Sequence, residues 1–212
     1  MARVSRAPEE RRMEFIATAA ALFREKGFEK TSVEDIVKAA GVAKGTFYYY
    51  FASKEQVLEA LIENLSKQSV ELIGPIIVDE DLSAIEKFNR ALTKLRNYIE
   101  ENGKFVDALH GLSDEIYHYK SLAAFSMDLA PEMARIIEQG IHEGIFQCAD
   151  PLELSETILL ASNFLLDEVL FPAPPERKLT RLLVIQKLLE SGLHVPPGTF
   201  DFFIPKRDCY EY

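Results

Sequence analysis

The sequence predicts an all-α fold in two parts, a small three-helix unit at the N-terminus and a larger helical unit behind it. Two observations carry this. Apolar residues recur at helical spacing almost throughout the 212 residues, and no Val/Ile/Thr-rich alternating run is bounded by turns. The length can hold one large domain or a small domain fused to a larger one.

The first helix begins at Pro8 with Glu9 and Glu10 in its first turn, shows Met13, Ile16, Ala20 and Phe23 on one face, and runs to Lys26, where Gly27 ends it. The second begins at Thr31-Ser32-Val33-Glu34-Asp35, with Ser32 as N-cap and an acid three positions on, as in a capping box. Val33, Ile36, Val37 and Ala40 line its inner face, and Gly41 makes a sharp turn into a third helix over about Lys44 to Phe51.

Ser53-Lys54-Glu55-Gln56 reads as a second capping box, opening a long helix through Val57, Leu58, Leu61, Ile62, Leu65 and Leu72 that Gly74-Pro75 stops. After a connector from Gly74 to Asp81, helices are expected over about 82–101, 104–111 and 114–144, the last kinked or broken at Pro131. Asp150-Pro151-Leu152-Glu153 supplies a cap, an N1 proline and an acid for a helix to about Leu170. Pro172, Pro174 and Pro175 separate it from a final helix near 176–191. Beyond Gly192 the tail, with Pro196, Pro197 and Pro205, is expected to be irregular and docked by Phe200, Phe202 and Phe203.

Hydrophobic residues at 48% and charged residues at 27% make an ordinary globular balance, so disorder is expected only at the termini. Met1 to Arg12 lack the apolar stretch of a signal peptide and no segment approaches a membrane span, which predicts a cytoplasmic location. Cys148 and Cys209 match no metal spacing and read as reduced structural thiols. The net charge of −10 argues against a nucleic-acid partner, but its distribution answers the objection. Residues 1–55 hold ten Lys and Arg against eight Asp and Glu, whereas residues 56–212 hold fourteen against twenty-six. A mildly basic head precedes a strongly acidic body.

The informative stretch is Thr31 to Gln56, TSVEDIVKAAGVAKGTFYYYFASKEQ. At roughly 100° per residue, Phe47, Tyr50 and Phe51 share one sector of the third helix, and Lys44, Gly45, Thr46, Tyr48 and Tyr49 occupy the rest. Displayed aromatics of this kind usually have a partner, and the set suits a helix lying in a DNA major groove. The alternative is a three-helix packing module with an incidental Tyr-rich turn.

The same stretch closely resembles the DNA-binding signature of the TetR family, in which two short helices precede a Gly-x-x-Lys-Gly-Thr-aromatic-Tyr-Tyr-x-Phe run and a Ser-Lys-Glu helix start. The resemblance implies a helix-turn-helix DNA-binding domain over 1–53 and a ligand-sensing and dimerisation domain over 54–212. It implies that Lys44, Gly45, Thr46 and Tyr48 face bases or the groove wall, with Gly45 allowing close approach and the Thr46 methyl meeting a thymine methyl. Tyr49 and Lys54 would hold phosphates, and Thr31 and Ser32 at the start of the second helix would offer N–H groups and hydroxyls to another. Two positions depart from the family pattern. Ala43 stands where Ser or Thr is frequent, a lost cap worth about 1 kcal/mol, and Tyr50 stands where His is common.

The resemblance further implies a homodimer and an effector pocket. Leu159, Leu166, Leu182, Ile185, Leu188 and Leu189 on the last two helices are candidate interface residues, with intramolecular core as the alternative. Phe88, Leu92, Leu95, Phe105, Leu109, Tyr117, Phe125, Met127 and Asn163 are candidate pocket residues for a small hydrophobic or amphipathic effector, and the acidic surplus favours a cationic one. Plain core is again the alternative.

His110 and His118, with Asp114 or Glu115 near, have no recognised ligand spacing, so no metal and no cofactor is expected. Glu101, Asp114, Glu115 and Asp167 fit charged helix faces, and no nucleophile, P-loop or dinucleotide pattern occurs, so no enzyme is expected. The functional expectation is a ligand-released repressor on a double-stranded, pseudo-palindromic operator. The rivals are an activator, a regulator without an effector, and a small helical enzyme or ligand carrier whose first helices only resemble the motif.

Overall fold

The computed structural model describes residues 8–101 and 115–201, except the side chains of 99–101 and 115–117. Every regular element among them is helical: α1 (Pro8–Lys26), α2 (Val33–Ala39), α3 (Lys44–Tyr50), α4 (Lys54–Ile77), α5 (Ala84–Glu101), α6 (Glu115–His142), α7 (Pro151–Leu165) and α8 (Pro175–Gly192). The helix expected over about 104–111 lies outside the described residues, as do Phe202, Phe203, Pro205 and Cys209. Packing divides the chain into two compact units. One holds the described residues through Leu65 and those between Ile99 and Ser121; the other holds Ser66–Tyr98 and those from Leu122 on.

In the first unit the buried face of α1 is Phe15, Ile16, Ala19 and Phe23, so the expected stripe was half right: Met13 and Ala20 only border the core. Phe15 takes the centre because it meets Phe47 edge to face at 5.6 Å and Phe51 at 6.2 Å. Gly27, at φ +85°, ends α1 with its N–H on the Phe23 carbonyl at 3.0 Å. Ser32 caps α2 in a complete capping box: its Oγ accepts from Asp35 N–H at 3.1 Å, and the Asp35 carboxylate accepts from Ser32 N–H at 2.8 Å. Gly41, at φ +66°, makes the turn toward α3. Ala43 gives α3 no side-chain cap. Phe47 and Phe51, with Val57, Leu58 and Leu61 of α4, close the core.

At the start of α4 the Gln56 carboxamide accepts from Ala52 N–H at 2.8 Å, one residue before the donor a capping box would use. The helix also passes Gly74-Pro75, where a stop was expected, and ends at Ile77. Proline there deletes a single backbone donor near the end, while Ile73 and Ile77, one turn apart, are both buried. The buried Lys87 ammonium then donates to the Ile77 carbonyl at 2.6 Å, satisfying an orphan acceptor.

In the second unit Ala84, Phe88, Ala91 and Leu95 form the buried stripe of α5, facing Leu129, Met133, Ile136 and Ile137 of α6 within one core. Ser83 and Glu86 reciprocate at the start of α5, and the Glu143 carboxylate accepts from Ala84 N–H at 3.1 Å. Pro131 lies inside α6, which continues as one helix instead of breaking. Phe146 folds back over Gly140 and packs with Phe88 at 6.1 Å and Phe200 at 6.1 Å.

Asp150 occupies the N-cap position of α7 but makes no side-chain cap bond, so of the expected start only Pro151 at N1 and the acid Glu153 in the first turn hold. The helix ends at Leu165, five residues early, because Asp167 Oδ1 accepts from Val169 and Leu170 N–H at 2.9 and 2.8 Å, drawing the backbone into a local turn. Gly192 lets α8 approach Leu154 of α7 closely. The buried Glu190 carboxylate holds the following segment, accepting from Gly198 and Phe200 N–H at 3.0 and 3.1 Å, and Phe200 docks as expected in the core.

Candidate nucleic-acid interface

The turn around Gly41 sets α3 against α2 and fixes which residues it shows. Phe47 is fully buried and Tyr50 is half-buried, its ring tilted against Phe15 at 5.8 Å. The opposite face displays Lys44, Gly45, Tyr48 at 51% and Tyr49 at 78% exposure, with Thr46 half-buried beside them. The two displayed rings are braced from below, Tyr48 edge-on to Phe47 at 5.5 Å and Tyr49 to Tyr50 at 4.9 Å. A side chain added at Gly45 would meet no atom within 4 Å, so its backbone is open to whatever approaches.

Two expected phosphate holders are otherwise engaged. Thr31 is buried and donates its hydroxyl proton to the Gly27 carbonyl at 2.8 Å, while its N–H bonds Phe28 at 3.0 Å. Lys54 donates to the Phe28 carbonyl at 3.1 Å and lies 4.2 Å over the Phe28 ring. Both therefore lock the α1–α2 connection, because short loops recruit side chains to satisfy their carbonyls. Ser32 stays exposed, with its hydroxyl donating to Asp35 at 2.7 Å.

Two charged contacts went unread in the sequence. Lys26 Nζ lies 2.8 Å from Asp35, and with the Ser32 hydroxyl and N–H it holds the Asp35 carboxyl well below the ordinary carboxylate range. Lys44 Nζ lies 3.1 Å from Glu34, whose carboxylate raises the lysine's pKa. The ten-residue separation of Glu34 and Lys44 matches no helical spacing; only the turn brings them together.

The other expected positions separate. Phe88 and Leu95 are buried in the core of the second unit, and Leu92 and Phe125 are half-buried against the same core. Met127 faces solvent. Asn163 donates to the Ser126 hydroxyl at 2.8 Å, joining α7 to α6. Phe105 and Leu109 lie outside the described residues, as does the Tyr117 side chain.

On the last two helices Ile185 and Leu189 are buried within the chain, which favours the intramolecular-core alternative at these two positions. Leu159, Leu166 and Leu182 are half-buried, and Leu188 is 55% exposed. Leu152, Leu165, Val169, Phe171 and Val184 are exposed apolar residues that periodicity had not singled out, although Val184 and Leu188 stand one turn apart. His118 is buried, and Asp167 turns its carboxylate onto the backbone. His110 and Asp114 and the side chains of Glu101 and Glu115 lie outside the described residues. Among the described residues no three His, Cys, Asp or Glu are grouped to hold a metal, and no helix is long and apolar enough to cross a membrane.

Residues 15–61 match the family model for bacterial regulatory proteins of the tetR family, and residues 97–186 match that of the tetracyclin repressor-like C-terminal domain. The uncharacterized HTH-type transcriptional regulator YvdT of Bacillus subtilis is 45% identical over 67 residues, which cover 31% of this chain and 34% of that protein. The match spans about a third of the length of the first curated relatives, 34% and 28%. A putative TetR-family regulator from Syntrophomonas wolfei is 26% identical at a TM-score of 0.61, covering 88% of this chain and 94% of that one. Thermus thermophilus FadR, a TetR-family repressor solved with lauroyl-CoA, shares the fold at a TM-score of 0.61 and 21% identity, covering 88% and 97%. With a helix-turn-helix head that displays α3 and helical family domains matched at both ends, the chain belongs to the TetR family of transcriptional regulators.

Proposed function

We propose that the protein is a ligand-released repressor that binds a pseudo-palindromic DNA operator as a homodimer in the cytoplasm. Residues 1–53 act as the DNA-binding head and residues 54–212 as the sensing and dimerising part. The observation that carries the reading is the one-sided helix α3, anchored by the buried Phe47 and displaying Lys44, Gly45, Tyr48 and Tyr49. Its lysine, open backbone and braced tyrosines suit base edges and phosphates of a major groove, with two such helices about one turn apart on the duplex. Thr46 and Ser32 border this face; Thr31 and Lys54 support it from behind.

Leu188, Val184 and Leu165 on α7 and α8 form exposed apolar surface suited to a second copy, with Leu159, Leu166 and Leu182 half-buried beside them. The effector is a small hydrophobic or amphipathic molecule that binds better to a form with misplaced heads, and so shifts the population off DNA by its differential affinity. Phe125, Leu92 and Met127, with Asn163 as a polar handle, are its proposed contacts. The lauroyl-CoA of the FadR relative is a ligand of that amphipathic kind.

Mobility shifts against a selected-oligonucleotide pool test the reading. Salt-sensitive, sequence-preferring binding is expected, abolished by Tyr48→Ala and by Lys44→Ala while the dimer persists. Normal binding by both variants would refute the assignment of α3.

A further inference from the structure

We propose that Glu34 is a specificity-determining positioning residue of the DNA-binding face: its carboxylate holds the Lys44 ammonium at the start of α3 and directs it to a base edge in place of a phosphate. This rests on the DNA-binding reading of α3. Two adjacent acids on the first turn of α2 meet two different lysines. Asp35 is engaged by Lys26 at 2.8 Å and by Ser32, so it does not compete for Lys44, and Glu34 pairs with Lys44 at 3.1 Å.

Folding does not account for the Glu34–Lys44 pair. Its side chains are 76% and 52% exposed, and ion pairs in such solvent contribute little to stability. The capping box is complete without Glu34. What the pair changes is the chemistry of the displayed face. An ammonium has three donors; one is taken by Glu34 and two remain, the number that guanine O6 and N7 accept in the major groove.

The pair is also electrically neutral. A free lysine on this face would neutralise a phosphate and release its counterion on any sequence, whereas a lysine paired to a carboxylate releases none. Glu34 itself repels a phosphate that approaches Lys44. The carboxylate thus weakens indiscriminate backbone binding and leaves the oriented base contact, so specificity is gained by removing an attraction.

Fluorescence anisotropy of the full chain on its selected operator and on a random-sequence duplex, at salt from about 50 to about 200 mM, tests this. Glu34→Gln is expected to tighten binding to random DNA by roughly threefold or more at the low-salt end, to steepen its log-affinity against log-salt slope by about one, and to lower the operator-to-random ratio. In a Lys44→Gln background the same substitution is expected to leave that slope unchanged. An unchanged melting temperature for Glu34→Gln shows that the effect is not one of folding. Equal tightening on both DNAs, no change on either, or a slope change that survives Lys44→Gln overturns the proposal. A parent chain with no sequence preference overturns the DNA-binding reading itself, a distinct result.

Discussion

Gly140→Ala inverts the usual sign of a helical glycine substitution. In an open helix, alanine in place of glycine stabilises by about 1 kcal/mol. At position 140 of α6 the added Cβ would stand 2.7 Å from Phe146 Cγ and closer still to Cδ2 and Cε2, a separation at which the ring must move. Phe146 has little room to do so, because it is buried and packed against both Phe88 and Phe200, themselves 5.3 Å apart. Overpacking of this kind costs about 1–3 kcal/mol, and each disturbed aromatic pair adds roughly 0.5–1.5 kcal/mol. With both the Phe88 and Phe200 pairs disturbed and the propensity gain subtracted, the net loss is about 3 kcal/mol, or roughly 6–12 °C in melting temperature for a chain of this size. Urea unfolding followed by circular dichroism measures it, with the m-value expected to stay constant. Stability equal to or above the parent's would refute the close packing of Phe146 on Gly140.

At Gly45, where an added Cβ meets nothing, Gly45→Ala is expected to raise stability by up to about 1 kcal/mol while weakening operator binding, since the new methyl would stand on the backbone proposed to face the groove. Melting curves and anisotropy read the two effects separately, and an unimpaired operator affinity would remove Gly45 from the contact set. Asp35, held below its ordinary pKa by Lys26 and Ser32, contributes stability that is complete above the ordinary carboxylate range and is lost as pH falls toward its depressed folded value. The melting-temperature advantage of the parent over Asp35→Asn should therefore be constant near neutrality and shrink below about pH 4; an advantage independent of pH contradicts the Lys26 contact. Leu188→Glu, at an exposed site, is expected to give a folded monomer by light scattering, whereas Ile185→Glu, at a buried one, should unfold. A dimeric Leu188→Glu would move the interface elsewhere.

The all-helical class and most element starts were legible in the sequence because they rest on local chemistry. Ser32 and Asp35 cap α2 within four residues, Gly27 and Gly41 take positive φ where their turns need it, and the 3.6-residue repeat separates Phe47 from Tyr48 and Tyr49 on α3. The helix ends were less legible. Local signals stopped α4 at Pro75 and carried α7 to Leu170, but burial of Ile77 extended the first and the Asp167 turn shortened the second. Nor does spacing tell the two sides of an apolar helix apart: Ile185, Leu188 and Leu189 read alike in sequence, and only packing buries the first and third and leaves the second exposed.

The sequence by itself determined a helical protein whose first three helices carry a displayed Lys-Gly-Thr-aromatic-Tyr-Tyr run, because caps, turns and periodicity act over a few residues. Tertiary structure alone decided what those side chains do. Thr31 and Lys54 turned inward to satisfy loop carbonyls, Phe146 closed over Gly140, and Glu34 met Lys44 across ten residues of chain. Such pairings depend on the angle between elements, a quantity set by the packing of the whole core and carried by no short stretch of sequence.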